Sequence, residues 1–237
     1  MRAIALAADI TVGEHPRFEL FGLGMNRDTV LSTVVAGGIL IALGLIMRAQ
    51  ITDGVPGKLQ LTFESLVSYI HDLVEESMGV RVAPFVVPLA TTLFAFILIA
   101  NMVEVVPTQE KLISPTSDIN LTAAMAVFVV GWVHLTGIRK KGLIGYAGSF
   151  TGAPRWLIPF RGLEEVAKPL SLALRLFGNL FAGGLMIQLI ALLPTFVLWA
   201  PTVVWKLFDM FIGGIQALIF SLLTVVYFSH AVHEEAH

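Results

Sequence analysis

The run Lys168-Pro169-Leu170-Ser171-Leu172-Ala173-Leu174-Arg175-Leu176-Phe177-Gly178-Asn179-Leu180-Phe181-Ala182-Gly183-Gly184 carries Arg175 as its only charge after Lys168, and no other charge follows until Lys206. Holding a guanidinium at hydrocarbon depth costs about 2.5 to 3.5 kcal/mol on insertion scales, so such a residue normally faces a partner or a wet cavity. Snorkelling to a headgroup is the competing explanation, but apolar sequence flanks Arg175 for more than a helical turn on each side. The stretch therefore reads as a membrane-embedded helix with a functional arginine.

Composition agrees. The chain has 237 residues, 56% hydrophobic and 14% charged, with a mean hydropathy of +0.83. Soluble domains carry roughly 25% charged residues, so the fold class is all-α, a polytopic helical membrane protein. A net charge of −2 lacks the basic footprint of a nucleic-acid partner. The absence of cysteine excludes disulfides, thiol catalysis and cysteine metal sites. No phosphate-binding loop is present, so the chain itself is not expected to bind ATP, and no cofactor or metal is expected.

The organisation is a single membrane domain, 1–237, with about five membrane segments. Residues 1–27 form an external N-terminal segment; Met1 to Ala8 is too short an apolar stretch for a signal-peptide core. Spans are expected over 28–48, 82–104 and 118–138, each closed by a charged or polar flank. Pro84 and Pro88 fall in the first turns of the second span, where a missing donor is tolerated. Residues 163–193 and 200–230 then form a long, tilted hairpin, with Pro194 and Pro201 dividing its limbs.

Basic residues set the orientation. Arg48 and Lys58 follow the first span, and Arg139, Lys140, Lys141, Arg155 and Arg161 follow the third, whereas the loop after the second holds Glu104, Glu110, Lys111 and Asp118. By the positive-inside rule the N-terminus is outside and the C-terminus cytoplasmic. Residues 57–80 form an amphipathic interfacial helix, with Leu59, Phe63, Leu66, Ile70 and Leu73 on one side and Glu64, His71, Asp72, Glu75 and Glu76 on the other. Such a helix lies on the cytoplasmic membrane surface or docks to a partner helix, and its acidic polar face favours docking. Gly79 is a plausible C-cap for it.

At helical spacing Arg175 shares a face with Ser171, Gly178, Asn179 and Ala182, so its surroundings are small and polar. Asp209, Gly213 and Gln216 share a face of the last helix in the same way. If the two helices pack as a hairpin, Gln216 can hydrogen-bond Arg175, and Asp209 can hold a proton. Asn179 and Gln216 acting only as interhelical glue is an equally open reading.

These residues resemble a known family, subunit a of the F-type ATP synthase. The resemblance rests on Lys168-Pro169-x-Ser171-x-x-x-Arg175-Leu176-Phe177-Gly178-Asn179-x-x-Ala182-Gly183, on Gln216-Ala217-x-Ile219-Phe220-x-x-Leu223-Thr224-x-x-Tyr227 and on Asp118-Ile119-Asn120. It implies a non-catalytic, ion-conducting stator whose final hairpin lies against a ring of c subunits. Arg175 would attract each deprotonated ring carboxylate and separate two offset half-channels, with Asp209, Gln216, Asn179 and Asp118 along the proton path. Gly178, Ala182, Gly183 and Gly213 would be the small residues facing the ring. The implied partners are the c-ring, peripheral-stalk b subunits, the complete synthase and the lipid of a prokaryotic plasma membrane. Two positions depart from the family's usual pattern: Gly184 stands where many members carry glutamate or histidine, and Asp209 where many carry histidine or glutamate.

Rival readings are weaker. His233-Glu234-Glu235-Ala236-His237 matches the zinc-protease spacing, but a fraying terminus cannot hold two imidazoles in fixed geometry. A secondary transporter using Arg175 to bind an anionic substrate predicts an internal repeat, and the first half has no counterpart of the arginine hairpin. A non-conducting scaffold leaves the expensive Arg175 and Asp209 faces without a purpose. His134 is expected to be a helix-helix hydrogen-bonder.

Overall fold

The computed structural model describes residues 17–20, 23–52, 54–81, 83–105, 115–151, 163, 167, 170, 171, 173, 174, 178, 182, 183 and 185–233. Among the described residues four helices are long and apolar enough to cross a membrane: α1 (Arg27–Gln50), α3 (Val86–Val105), α4 (Ile119–Thr151) and α6 (Thr195–His233). The remaining elements are α2 (Lys58–Met78), a 3-10 turn at Pro115–Ser117, and α5, the span 163–190, whose described residues are all helical.

The membrane fold is all-α as expected, with one small addition ahead of α1. A short antiparallel ladder pairs β1 (Arg17–Leu20) with β2 (Leu23–Asn26), Arg17 opposite Asn26, and α1 follows directly. Strands of four residues are too brief for alternation to register in sequence. In α1 only Ser32 and Ala36 are buried, so the helix touches the rest of the chain along one narrow stripe.

The helix α2 ends where Gly79 adopts φ 75°, a conformation that favours glycine, and its N–H reaches the carbonyls of Val74 and Glu75. Its C-terminal half packs against the chain itself: Ile70, Val74 and Met78 are buried with Val86, Val87 and Ala90 of α3 and Val225, Phe228 and Ala231 of α6. Ser229 on α6 fastens this contact by donating to the Ser77 carbonyl at 2.7 Å. A second apolar cluster joins Leu93 and Ile97 of α3, Ala126 and Val129 of α4, Ala173 of α5, and Ala217 and Phe220 of α6. Thus α3 and α6 form the spine on which the other helices lean.

The helix α3 begins at Val86, so Pro84 precedes it and only Pro88 lies in its first turn. Departures of this kind also mark the two long helices. α4 breaks at Gly142, where φ is 71°, and Tyr146 then meets His134, with a hydrogen bond between its hydroxyl and Nδ1. Twelve residues of straight helix would span about 18 Å, so the chain doubles back at the glycine. Gly137 makes room for the Tyr146 ring; a side chain there would collide with it.

The last helix corrects the role given to Pro201, which sits inside an unbroken α6. The break comes earlier, in residues 191–194, and the Pro194 carbonyl starts the helix by accepting from Val197 and Leu198. Membrane helices absorb an internal proline because neighbouring helices satisfy the freed backbone. With 39 residues α6 is about 58 Å long, more than a hydrocarbon core of about 30 Å, so it must run inclined or project.

Candidate functional site

Asp209 is half-buried on α6, and its carboxylate lies against Gly183 of α5 so closely that a Cβ there would be 2.8 Å from Oδ1. One turn earlier on α6, the Trp205 indole donates to the Gly183 carbonyl at 3.1 Å. A glycine on α5 thereby lets a titratable group and an indole of α6 reach its backbone. The two helices are joined at this level.

Gly213, one turn further along α6, faces α3. Asn101 donates from Nδ2 to the Gly213 carbonyl at 3.0 Å and accepts at Oδ1 from the Thr116 hydroxyl at 2.8 Å. Asn101 and Thr116 are buried. Gln216, three residues beyond, is 6% exposed, and its Nε2 finds no hydrogen-bond partner among the described residues. A buried donor left unpaired costs about 1 to 3 kcal/mol.

Asp118 caps α4. One oxygen accepts from Asn26 Nδ2 at 2.6 Å and Thr29 Oγ1 at 2.7 Å, and the other from the Asn120 backbone at 2.8 Å and its carboxamide at 3.0 Å. The carboxylate thus ties the start of α1 to the start of α4 while buried itself.

On α5 the described exposed residues, Leu163, Ala167, Leu170, Ser171, Leu174, Gly178, Ala182 and Leu189, recur at helical spacing, whereas Ala173, Gly183 and Ile190 are buried. Arg175 and Asn179, which the sequence assigns to this helix, lie outside the described residues, as does Gly184.

The chain matches the family model of the ATP synthase A chain over residues 30–229. It belongs to that family. ATP synthase subunit a of Mycobacterium bovis is 48% identical, with 100% of both chains covered. That of Acidothermus cellulolyticus is 46% identical over 98% of this chain and 86% of its own. More distant is ATP synthase subunit a 2 of Hahella chejuensis, 33% identical over 96% and 94% of the two chains.

Two of the small residues of this A-chain member lie inside the chain. Gly183 and Gly213, expected to face a ring, are buried against Asp209 and Asn101 of the same chain, whereas Gly178 and Ala182 stay exposed. Gly213 belongs to the buried stripe of an inclined helix, which composition alone does not distinguish from an outward stripe. Asn101, Thr116 and Trp205 were not foreseen. Asn101 offered one signal, an amide inside an apolar run between Ala100 and Met102, since such residues in membrane helices seek a partner helix. Among the described residues no group of histidines and carboxylates could hold a metal ion, and residues 234–237 of the terminal histidine motif lie outside them.

Proposed function

We propose that Arg175 is the fixed positive gate between two offset half-channels, and that Asp209, Gln216, Asn179 and Asp118 line the outer one. Membership in the A-chain family makes this chain the proton-conducting stator subunit of the rotary ATP synthase, without catalytic activity of its own. The ring of c subunits would lie over the exposed α5 stripe of Ser171, Leu174, Gly178 and Ala182. By the spacing of the sequence Arg175 adjoins that stripe, four residues after Ser171 and three before Gly178.

The observation that carries this reading is the contact of Asp209 with Gly183, which sets a titratable group of α6 against the helix assigned to the arginine. Gln216 adds a second support. Its Nε2, without a partner among the described residues, is a donor, and an arginine, itself donor-only, cannot satisfy it; a water molecule or a passing carboxylate can. The Gln216 oxygen stays suited to accept from Arg175. An arginine does not lose its proton in a protein, so it can block a direct leak while attracting each ring carboxylate in turn.

In this assignment the basic flanks after the first and third spans face the cytoplasm of a prokaryotic plasma membrane. The hairpin of α5 and α6 lies against the ring, and the exposed acidic face of α2, with Asp72, Glu75 and Glu76, lies at the cytoplasmic surface within reach of peripheral-stalk b subunits. The test is Arg175→Ala in the whole enzyme in sealed vesicles. Coupled ATP synthesis and ATP-driven proton pumping should vanish while the complex assembles, and Arg175→Lys should fail as well because an ammonium shifts its protonation when buried. Substantial coupled synthesis by Arg175→Ala would refute the gate.

A further inference from the structure

We propose that Asn101 is a positioning residue for proton transfer at α6: by holding the Gly213 carbonyl, with Thr116 steering its amide, it fixes how the turns bearing Asp209 and Gln216 face. The inference rests on the assignment of those two residues to the proton path. Gly213 is four residues after Asp209 and three before Gln216, so all three occupy one stripe of the helix.

An apolar helix among apolar helices in lipid has little to set its rotation, because burying it against protein or against acyl chains is nearly equivalent. Turning a helix by one residue's worth, about 100°, would carry Asp209 off the α5 contact and Gln216 out of the interior. A directional bond to the backbone resists that turn. The Gly213 carbonyl has a second lone pair beyond the one used within the helix, and Asn101 Nδ2 takes it at 3.0 Å.

The geometry leaves little freedom at either end. A Cβ at position 213 would stand 3.0 Å from Asn101 Cβ and 3.1 Å from Nδ2, so only glycine lets the amide reach the backbone undisturbed. The carbonyl can only accept, so Nδ2 must face it and Oδ1 must face Thr116, whose hydroxyl donates at 2.8 Å. Asn101 is 4% exposed and Thr116 wholly buried, which keeps water from substituting for either bond. Thr116 sits in the 3-10 turn of Pro115–Ser117, two residues before the Asp118 cap, so the array links α3, α6 and the start of α4. A further tie between α3 and α6, Ser221 to the Ala90 carbonyl at 3.0 Å, lies beyond Gln216 and away from Asp209.

The test measures passive proton flux through ATP synthase in vesicles stripped of the soluble ATPase part, with the amount of assembled complex scored beside it. Thr116→Val, Thr116→Ser and Asn101→Ala are each made with Asp209 intact and with Asp209→Asn. Thr116→Val should lower flux per assembled complex about fivefold, the worth of one buried hydrogen bond. Thr116→Ser, which keeps the hydroxyl, should recover most of it. Both Thr116→Val and Asn101→Ala should add almost no further loss once Asp209 is asparagine.

Wild-type flux in Thr116→Val overturns the positioning role and leaves the path assignment standing. So does an equal loss with and without Asp209, which would make Asn101 act independently of the carboxylate, and so does a serine variant as impaired as the valine one. Wild-type flux in Asp209→Asn alone overturns the path assignment and the inference with it.

Discussion

Gly213 on α6 and Gly178 on α5 are the same residue in the same kind of helix, yet Asn101 fills the space beside the first, and at the second no described atom lies within 4 Å of where a Cβ would stand. The first admits a polar side chain that locks one helix of the chain to another. The second is left exposed among other exposed residues, Ser171, Leu174 and Ala182. Small residues let surfaces approach closely, but the approaching surface differs: this chain's own asparagine in one case and, in the proposed assignment, a moving partner in the other. A stator needs both, because it must be rigid inside and slippery outside.

The contrast breaks most visibly if the inner glycine is enlarged. Gly213→Leu would drive a branched side chain into Asn101, and overpacking of a buried contact costs about 1 to 3 kcal/mol before the lost hydrogen bonds are counted. The amount of assembled synthase recovered from membranes should fall several-fold, as measured by native electrophoresis or blotting. Normal assembly would mean that the interface between α3 and α6 can yield.

Gly178→Leu should behave in the opposite sense. No described atom stands in its way, so assembly should be close to wild type, while ATP-driven proton pumping drops because the new side chain holds the ring carboxylate away from Arg175. Gly37→Leu is the control, since no described atom lies within 4 Å of a Cβ there either and Gly37 stands two turns along α1 from Thr29, the partner of Asp118. Pumping by Gly178→Leu equal to that of Gly37→Leu would remove α5's open stripe from the rotor contact.

Much of this contrast could not be read from the sequence, for physical reasons. Long apolar runs and their charged flanks disclose membrane helices because bilayer thickness fixes their length, and the helix break after Met78 is legible because a positive φ calls for a residue such as Gly79. The lone Arg175 is legible because its cost is large wherever it lies. Rotation about a helix axis is another matter: with lipid as apolar as the core, outward and inward faces carry the same residues, so Gly183 and Gly213 looked like Gly178. Pro201 was misjudged because its aqueous penalty was applied to a membrane helix. The partner chosen by Asn101, 112 residues away, depends on how α3 and α6 cross, which no local spacing encodes.

The most direct test of which face meets the rotor is cysteine cross-linking, and the chain has no cysteine of its own to interfere. Ala182→Cys places a thiol on the exposed α5 stripe, and Ala173→Cys places one on the buried side of the same helix. With a cysteine on the outer helix of the ring subunit and a short thiol cross-linker, Ala182→Cys should join to the ring in the assembled enzyme and stop rotation, while Ala173→Cys should give no product. A cross-link from Ala173→Cys with none from Ala182→Cys would show that the exposed stripe of α5 faces away from the ring.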